Sequence, residues 1–266
     1  MYETIELERS KSIITVWLSR PELHNAMNDV MIAELTQVFR DFSEDEDLRM
    51  AILRGRGESF CAGADLNYMK NIADFGLEEN LRDSIKLAQL FSTISECRIP
   101  TISLVHGACF GGANGLIAAC DIVIATINTV FAFSEVRIGI APATIAPFVI
   151  RRIGEYGAKE LMITGKRFNG EEALKWKLVN HVFVEKELES ELEKFIAQIL
   201  SSGPNAVKAS KELITQILRG GRDLAETEDY TSKLITELRA SDEGQEGMAS
   251  FLEKRKPNWI SDESEK

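Results

Sequence analysis

The sequence predicts an α/β core followed by a helical C-terminal subdomain, and three observations carry that prediction. Up to about residue 200, short alternating or continuous apolar stretches take turns with stretches of helical period, the order that α/β folds produce. Between Arg98 and Arg151 only Asp121, Glu135 and Arg137 are charged, so this part of the chain is suited to burial. Past residue 200 the composition turns to helix formers at period 3.6, with no strand pattern. The division expected is an α/β core at 1–200 and a helical subdomain at 201–266, joined without a Gly/Ser-rich or Pro-rich linker.

Each element has its own local reason. Two alternating stretches open the chain, 2–8 and 13–18, and the polar residues between them suit a hairpin. Asn28 is a good N-cap for a helix whose apolar stripe is Val30, Met31, Leu35, Val38, Phe39 and Phe42. Residues 50–54 read as a short strand leading into the Gly-rich stretch 55–63. A long helix follows at about 78–97 and ends before Ile99-Pro100, because the residue ahead of a proline avoids helical backbone. Residues 101–105 then read as a buried strand, 112–120 as a short helix and 122–125 as another strand. In the C-terminal part, Pro204 marks a helix start and Gly220-Gly221 a break.

Composition narrows the class of protein. With 44% apolar and 27% charged residues in 266 positions, the chain is neither disordered nor low-complexity. Its 31 Lys+Arg against 42 Asp+Glu give a formal net charge of −11, the wrong sign for a nucleic-acid partner. Any anionic ligand must be held by local donors. The uncharged run 99–120 is long enough on paper to cross a bilayer, but it contains Pro100, His106, Asn114 and four glycines, which favours a buried core. Cys61, Cys97, Cys109 and Cys120 form no C-x-x-C pair and have no histidine spaced for zinc; reduced thiols and no metal are expected. The N-terminal MYETIELERS has no signal-peptide pattern, so a cytoplasmic location is expected.

Three segments could carry chemistry. Gly57-Glu-Ser-Phe-Cys-Ala-Gly-Ala-Asp-Leu66 is a loop of small residues ending where a helix begins. In it the amide of Ala62 or a neighbour can face a developing oxyanion beside Gly63, although a plain tight turn also explains the glycines. Gly107-Ala-Cys-Phe-Gly-Gly-Ala-Asn-Gly115 fits neither G-x-G-x-x-G nor the P-loop. There Gly112 either offers an unpaired amide at a helix start or simply makes room for packing. Glu135, with Arg137, carries the only charges from 122 to 150; it is either a proton-transfer group whose pKa burial raises or half of an ion pair with Arg137. His24, His106 and His181 are scattered and read as structural.

Taken together, Arg20-Pro-Glu-Leu-His-Asn-Ala-Met-Asn28, Phe60-Cys-Ala-Gly-Ala-Asp-Leu66, Gly107-Ala-Cys-Phe-Gly-Gly112, Ala119-Cys-Asp121 and Phe251-Leu-Glu-Lys-Arg255 resemble the enoyl-CoA hydratase/isomerase, or crotonase, family over nearly the whole chain. The resemblance implies a spiral of ββα units with helical C-terminal trimerisation, as a homotrimer or a dimer of trimers. It implies an acyl-CoA thioester substrate and no cofactor beyond the coenzyme A of that substrate. By position it makes Ala62 and Gly112 the backbone donors to an enolate oxygen and Glu135 the acid/base. It sets Ala64 and Asp65 along the CoA path, counts Gly63 and Gly115 with them among the substrate-binding residues, and puts Phe251 and Lys254 where they reach a CoA on a neighbouring subunit. Gly115 stands where hydratases of the family carry a first glutamate. In that respect, and around 112–121 and 133–147, the chain resembles bacterial methylglutaconyl-CoA hydratases, with Arg137 a conceivable partner for the distal carboxylate of such a substrate. The alternatives are a Δ3,Δ2-enoyl-CoA isomerase and a non-catalytic acyl-CoA-binding relative.

Overall fold

The computed structural model describes residues 2–260, which divide into two compact units. One comprises the chain up to Cys97 together with Thr101–Glu189; the other comprises Arg98–Pro100 and the chain from Ser190 onward. The division falls within the helix α7 (Leu188–Ser201), close to its start.

The first unit is built on a six-stranded sheet. Strands β1 (Ile5–Ser10) and β2 (Ile13–Leu18) form an antiparallel hairpin whose turn places Lys11 at φ 54. Strands β3 (Met50–Gly55), β4 (Thr101–Val105), β6 (Ile122–Thr126) and β9 (His181–Phe183) continue in parallel, in the order β1-β2-β3-β4-β6-β9. In β2 the residues Ile14, Val16 and Leu18 are buried in alternation. All of β4 is buried, as expected of a parallel strand covered on both faces. A second, three-stranded sheet joins β5 (Ala108–Phe110), β7 (Val130–Ala132) and β8 (Arg167–Asn169), β5 parallel and β8 antiparallel to β7.

Helices connect the strands. In α1 (Asp29–Glu44) the Asn28 side chain accepts from Met31 N, and Met31, Ile32, Leu35, Val38, Phe39 and Phe42 are buried. Two helices follow β3: α2 (Leu66–Ala73), capped by Asp65, and α3 (Leu77–Glu96), which buries only Leu90, Phe91 and Ile94 of its C-terminal half. The seven-residue α4 (Ala113–Ala119) is buried throughout. After β7 come a short 3-10 turn at Ser134–Ile138, then α5 (Ala146–Thr164), interrupted at Gly154, and α6 (Gly170–Lys175) with an Asn169 capping box. The uncharged run 99–120 is thus divided among β4, β5 and α4, and no described helix is long and apolar enough to cross a membrane.

In the second unit, α7 leads to α8 (Pro204–Leu218), α9 (Leu224–Ala240) and α10 (Asp242–Glu253). Pro204 sits in the first turn of α8, and Gly220 and Gly221 take positive φ between α8 and α9. The Glu243 carboxylate accepts from the N–H groups of Asn205 and Ala206, supplying the acceptor that Gly203, the N-cap of α8, cannot.

Candidate active site

The first glycine-rich segment lies between two neighbours. On one side Cys61 pairs with Cys109 in a parallel bridge: Cys61 N donates to Ala108 O (3.0 Å) and Phe110 N to Cys61 O (3.1 Å). On the other side, Ala62 N donates to His24 O (2.9 Å), Met27 N to Gly63 O (2.7 Å) and Asp65 N to Met27 O (2.8 Å). These last two bonds are the Met27–Ala64 bridge, in which Met27 supplies both the donor and the acceptor. The N–H and C=O of Ala64 therefore point away from Met27. Ala64 is exposed, and its N–H meets no acceptor among the described residues.

The second glycine-rich segment crosses beside the first. Gly111 has φ +53 and donates to Ala132 O (2.9 Å). The buried Asn114 amide donates to Cys109 O, Gly111 O and Ala132 O at 3.3, 3.2 and 2.9 Å, which ties the turn to β5 and β7. Gly112, the N-cap of α4, has a half-buried backbone whose N–H likewise finds no acceptor among the described residues. A Cβ at Gly112 would stand 2.8 Å from Met27 Cε, so Met27 touches the second segment through its side chain while pairing with the first through its backbone.

Glu135, in the 3-10 turn after β7, lies against Gly111, with Oε1 3.5 Å from the position of a Cβ there. Its Oε2 is buried and makes no hydrogen bond among the described residues. Burial raises its pKa, against a smaller lowering by a backbone hydrogen bond. The carboxyl group is thus poised to hold or release a proton nearer neutral pH than an exposed glutamate. Around Gly115 the packing is closed. A Cβ there would clash with Ile145 Cγ2 and would lie 2.7 Å from Phe91 Cε1 and Cζ, and both neighbours are buried.

A family model described as enoyl-CoA hydratase/isomerase matches residues 8–262. The chain belongs to the enoyl-CoA hydratase/isomerase family. It is similar to the crystal structure of an enoyl-CoA hydratase from Shewanella pealeana, with 38% identity, a TM-score of 0.92, and coverage of 97% of this chain and 96% of that one. Among curated proteins it is 32% identical over 263 residues to the crotonyl-CoA hydratase of Syntrophomonas wolfei, covering 98% of this chain and 99% of that protein. It is also 32% identical over 252 residues to the mevalonyl-coenzyme A hydratase of Aspergillus fumigatus, covering 93% and 91%.

In this member of the hydratase/isomerase family several residues hold other places than the resemblance implies. The Ala62 amide, expected as an oxyanion donor, is spent on His24 O, and the available N–H lies two residues on, at Ala64. Asp65, expected along the CoA path, is only 5% exposed; it caps α2 through Asn67 N and Tyr68 N and pairs with Arg20 at 2.8 Å. Burial raises the Asp65 pKa, but the hydrogen bonds from Tyr68 N, Arg20 and Asn67 N outweigh it and hold the carboxyl below its ordinary value. Arg137 makes no ion pair with Glu135; its Nη2 donates to Thr164 O (3.0 Å) at the C-terminal end of α5, an orphan carbonyl that a cation suits. Gly63 takes φ +100, and a Cβ there would come 3.0 Å from Phe110 O, so a side chain at this position would be strained. Phe251 and Lys254 lie in the second unit, Phe251 83% exposed and Lys254 closing α10 in the left-handed conformation. The four cysteines are buried thiols, and burial pushes Cys61 up to about 12.

Sequence reasoning missed Arg20, Met27, Phe91 and Ile145. Arg20 and Met27 stand inside a quoted motif, but only the pairing of that loop with residues 63–65 gives them a task. Phe91 lies on the buried stripe of α3 and reads as ordinary core until Gly115 is placed beside it.

Proposed function

We propose that the chain adds water across the double bond of a 2-enoyl-CoA thioester, a methylglutaconyl-CoA-like one, through an enolate held by the N–H groups of Ala64 and Gly112. The observation that carries the reading is the Glu135 carboxyl, which lies against Gly111 with a buried Oε2 that has no hydrogen-bond partner among the described residues, in the turn whose next N–H, at Gly112, also has none there, as has that of Ala64. In the forward direction the Glu135 carboxylate takes a proton from water, and the oxygen adds at C3. The double-bond electrons move to the thioester oxygen, where the two amides stabilise the charge. The carboxyl group then returns its proton to C2, so one water is consumed and the enzyme is regenerated. In this scheme Gly63 keeps the backbone near the ligand bare, and Phe251 and Lys254 reach a CoA on a neighbouring subunit of a homotrimer or a dimer of trimers. A branched acyl group is supported by the resemblance of residues 112–121 and 133–147 and by the mevalonyl-coenzyme A hydratase among the relatives.

The packing at Gly115 favours a second reading. With Phe91 and Ile145 filling the place of a second carboxylate, one acid/base suffices to carry a proton between C2 and C4, which is Δ3,Δ2 isomerisation. The two are separated by following the conjugated enoyl-thioester absorbance with 2-enoyl and 3-enoyl substrates in turn. Loss of absorbance from 2-enoyl esters supports hydration, and gain from 3-enoyl esters replaces it with isomerisation. A panel of straight-chain, branched and carboxylated esters then tests the acyl group, and a preference for short straight chains overturns the methylglutaconyl-like assignment. A chain that binds these esters and turns none over is the non-catalytic relative.

A further inference from the structure

We infer that Arg20 and Asp65, acting through Met27, set the aim of the oxyanion amides; the inference rests on the reading of the site given above. The Met27–Ala64 pairing is an isolated bridge of two hydrogen bonds, with no strand ladder on either side to hold its angle. Arg20 braces it. One guanidinium nitrogen, Nη1, donates to Ala26 O (2.6 Å), one residue before Met27. The other, Nη2, donates to Asp65 Oδ2 (2.8 Å), one residue after Ala64. The guanidinium is a rigid planar fork, so a single side chain fixes the spacing of both segments where they carry the bridge.

The brace is itself anchored at each end. Asp65 Oδ1 accepts from Asn67 N (2.7 Å) and Tyr68 N (3.2 Å), which joins it to the start of α2. Arg20 N donates to Asn25 Oδ1 (2.8 Å), and the buried Asn25 Nδ2 donates to Arg56 O and Ser59 O, both at 2.8 Å. The Arg20 and Asp65 side chains are 15% and 7% exposed, so water competes little for their pairing. Met27 carries the constraint onward, because its backbone is bridged to Ala64 and its Cε packs at Gly112. All three are positioning residues. They act on the acyl group only through the two amides, and small displacements at such donors are costly to rate.

The test uses butyryl-CoA labelled with carbon-13 at the thioester carbonyl, a saturated ester that cannot be hydrated. Its carbonyl band is recorded by infrared difference spectroscopy on wild type, Arg20→Lys, Asp65→Asn and Met27→Ala, with kcat and KM measured on crotonyl-CoA. Wild type is expected to shift the band to lower frequency on binding. In the variants the band moves back toward its free position, and kcat falls about 10–100-fold while KM stays within about twofold. Asp65→Asn keeps a cap acceptor and Arg20→Lys keeps the charge, and the two break the brace from opposite ends, one at the carboxylate and one at the fork; if one fails to fold, the other decides. Variants that keep the wild-type band and kcat, and lose only thermal stability, overturn the inference. A wild-type band unmoved by bound butyryl-CoA overturns the oxyanion reading and the positioning inference with it.

Discussion

Glu135 combines two costs that point the same way: a buried oxygen without a partner among the described residues, and a pKa raised by that burial. As a base it works only when ionised, so kcat/KM should decline as pH falls through its raised pKa. That acid limb should lie above the ~4.3 of an ordinary glutamate. Replacing it by glutamine should lower kcat/KM by about 10²–10⁴-fold while leaving CoA-ester binding in place, as read by calorimetric titration and a spectrophotometric assay. The same substitution should raise Tm at neutral pH. The protonated carboxyl contributes stability that is fully present below its unfolded pKa and is lost as pH rises through its higher folded pKa. The advantage of Glu135→Gln should therefore vanish in acid, and thermal melts across the pH range check this. A variant that is less stable than wild type at pH 7 contradicts the burial argument.

At the scale of elements, short helices and isolated bridges hold the site, and each depends on particular polar groups. Asp65, at the start of α2, carries the opposite pH signature to Glu135. Its lowered pKa means that the stability it contributes is present above the usual ~3.9 of an aspartate and is lost as pH falls through its folded value. Acid unfolding of the wild type should accordingly be steeper than that of Asp65→Asn, as circular dichroism will register. The cap of α1 gives a contrast, because Asn28 touches no part of the site's hydrogen bonding yet accepts from Met31 N at 2.9 Å. Asn28→Ala should cost about 1 kcal/mol in urea unfolding and leave kcat unchanged. Around α4, where Gly115 meets Phe91 of α3 and Ile145 ahead of α5, Gly115→Glu should destabilise the protein by about 1–3 kcal/mol without raising its hydration rate. A faster Gly115→Glu enzyme would mean that the packing gives way more easily than its buried neighbours suggest.

For the molecule as a whole, much was legible in the sequence where one physical signal dominated. The β1–β2 hairpin, the Asn28 cap, the buried β4 and the Gly220-Gly221 break all follow from local patterns. The three-residue strands β5, β7, β8 and β9 were not foreseen, since such short stretches carry no period and exist only because a partner strand is present. The same limit applies to the site. Glu135 and Gly112 stand out in the chain, one by its isolation as a charge and the other by its glycine neighbours. Whether Ala62 or Ala64 has the available amide depends on which side of the strand faces His24 and Met27, which spacing alone does not encode. Assembly is tested at this scale as well. Light scattering in solution should give a mass near three or six times the 29.7 kDa of one chain, and a monomer at micromolar concentration contradicts the trimer proposed from the family resemblance.

The apolar filling around Gly115 also constrains the order in which such an enzyme can change. An acid placed at 115 meets side chains from the C-terminal half of α3 and the lead-in to α5, so an exchange at one position creates a misfit that two distant parts of the chain must relieve. A stepwise mutational path from this protein to a relative with paired carboxylates that shrinks residue 91 or 145 first passes through a cavity-bearing intermediate less stable than the starting protein. The same holds for a laboratory redesign selected on stability: a library that varies 115 alone should favour glycine, and one that varies 91, 115 and 145 together can make room for the second acid.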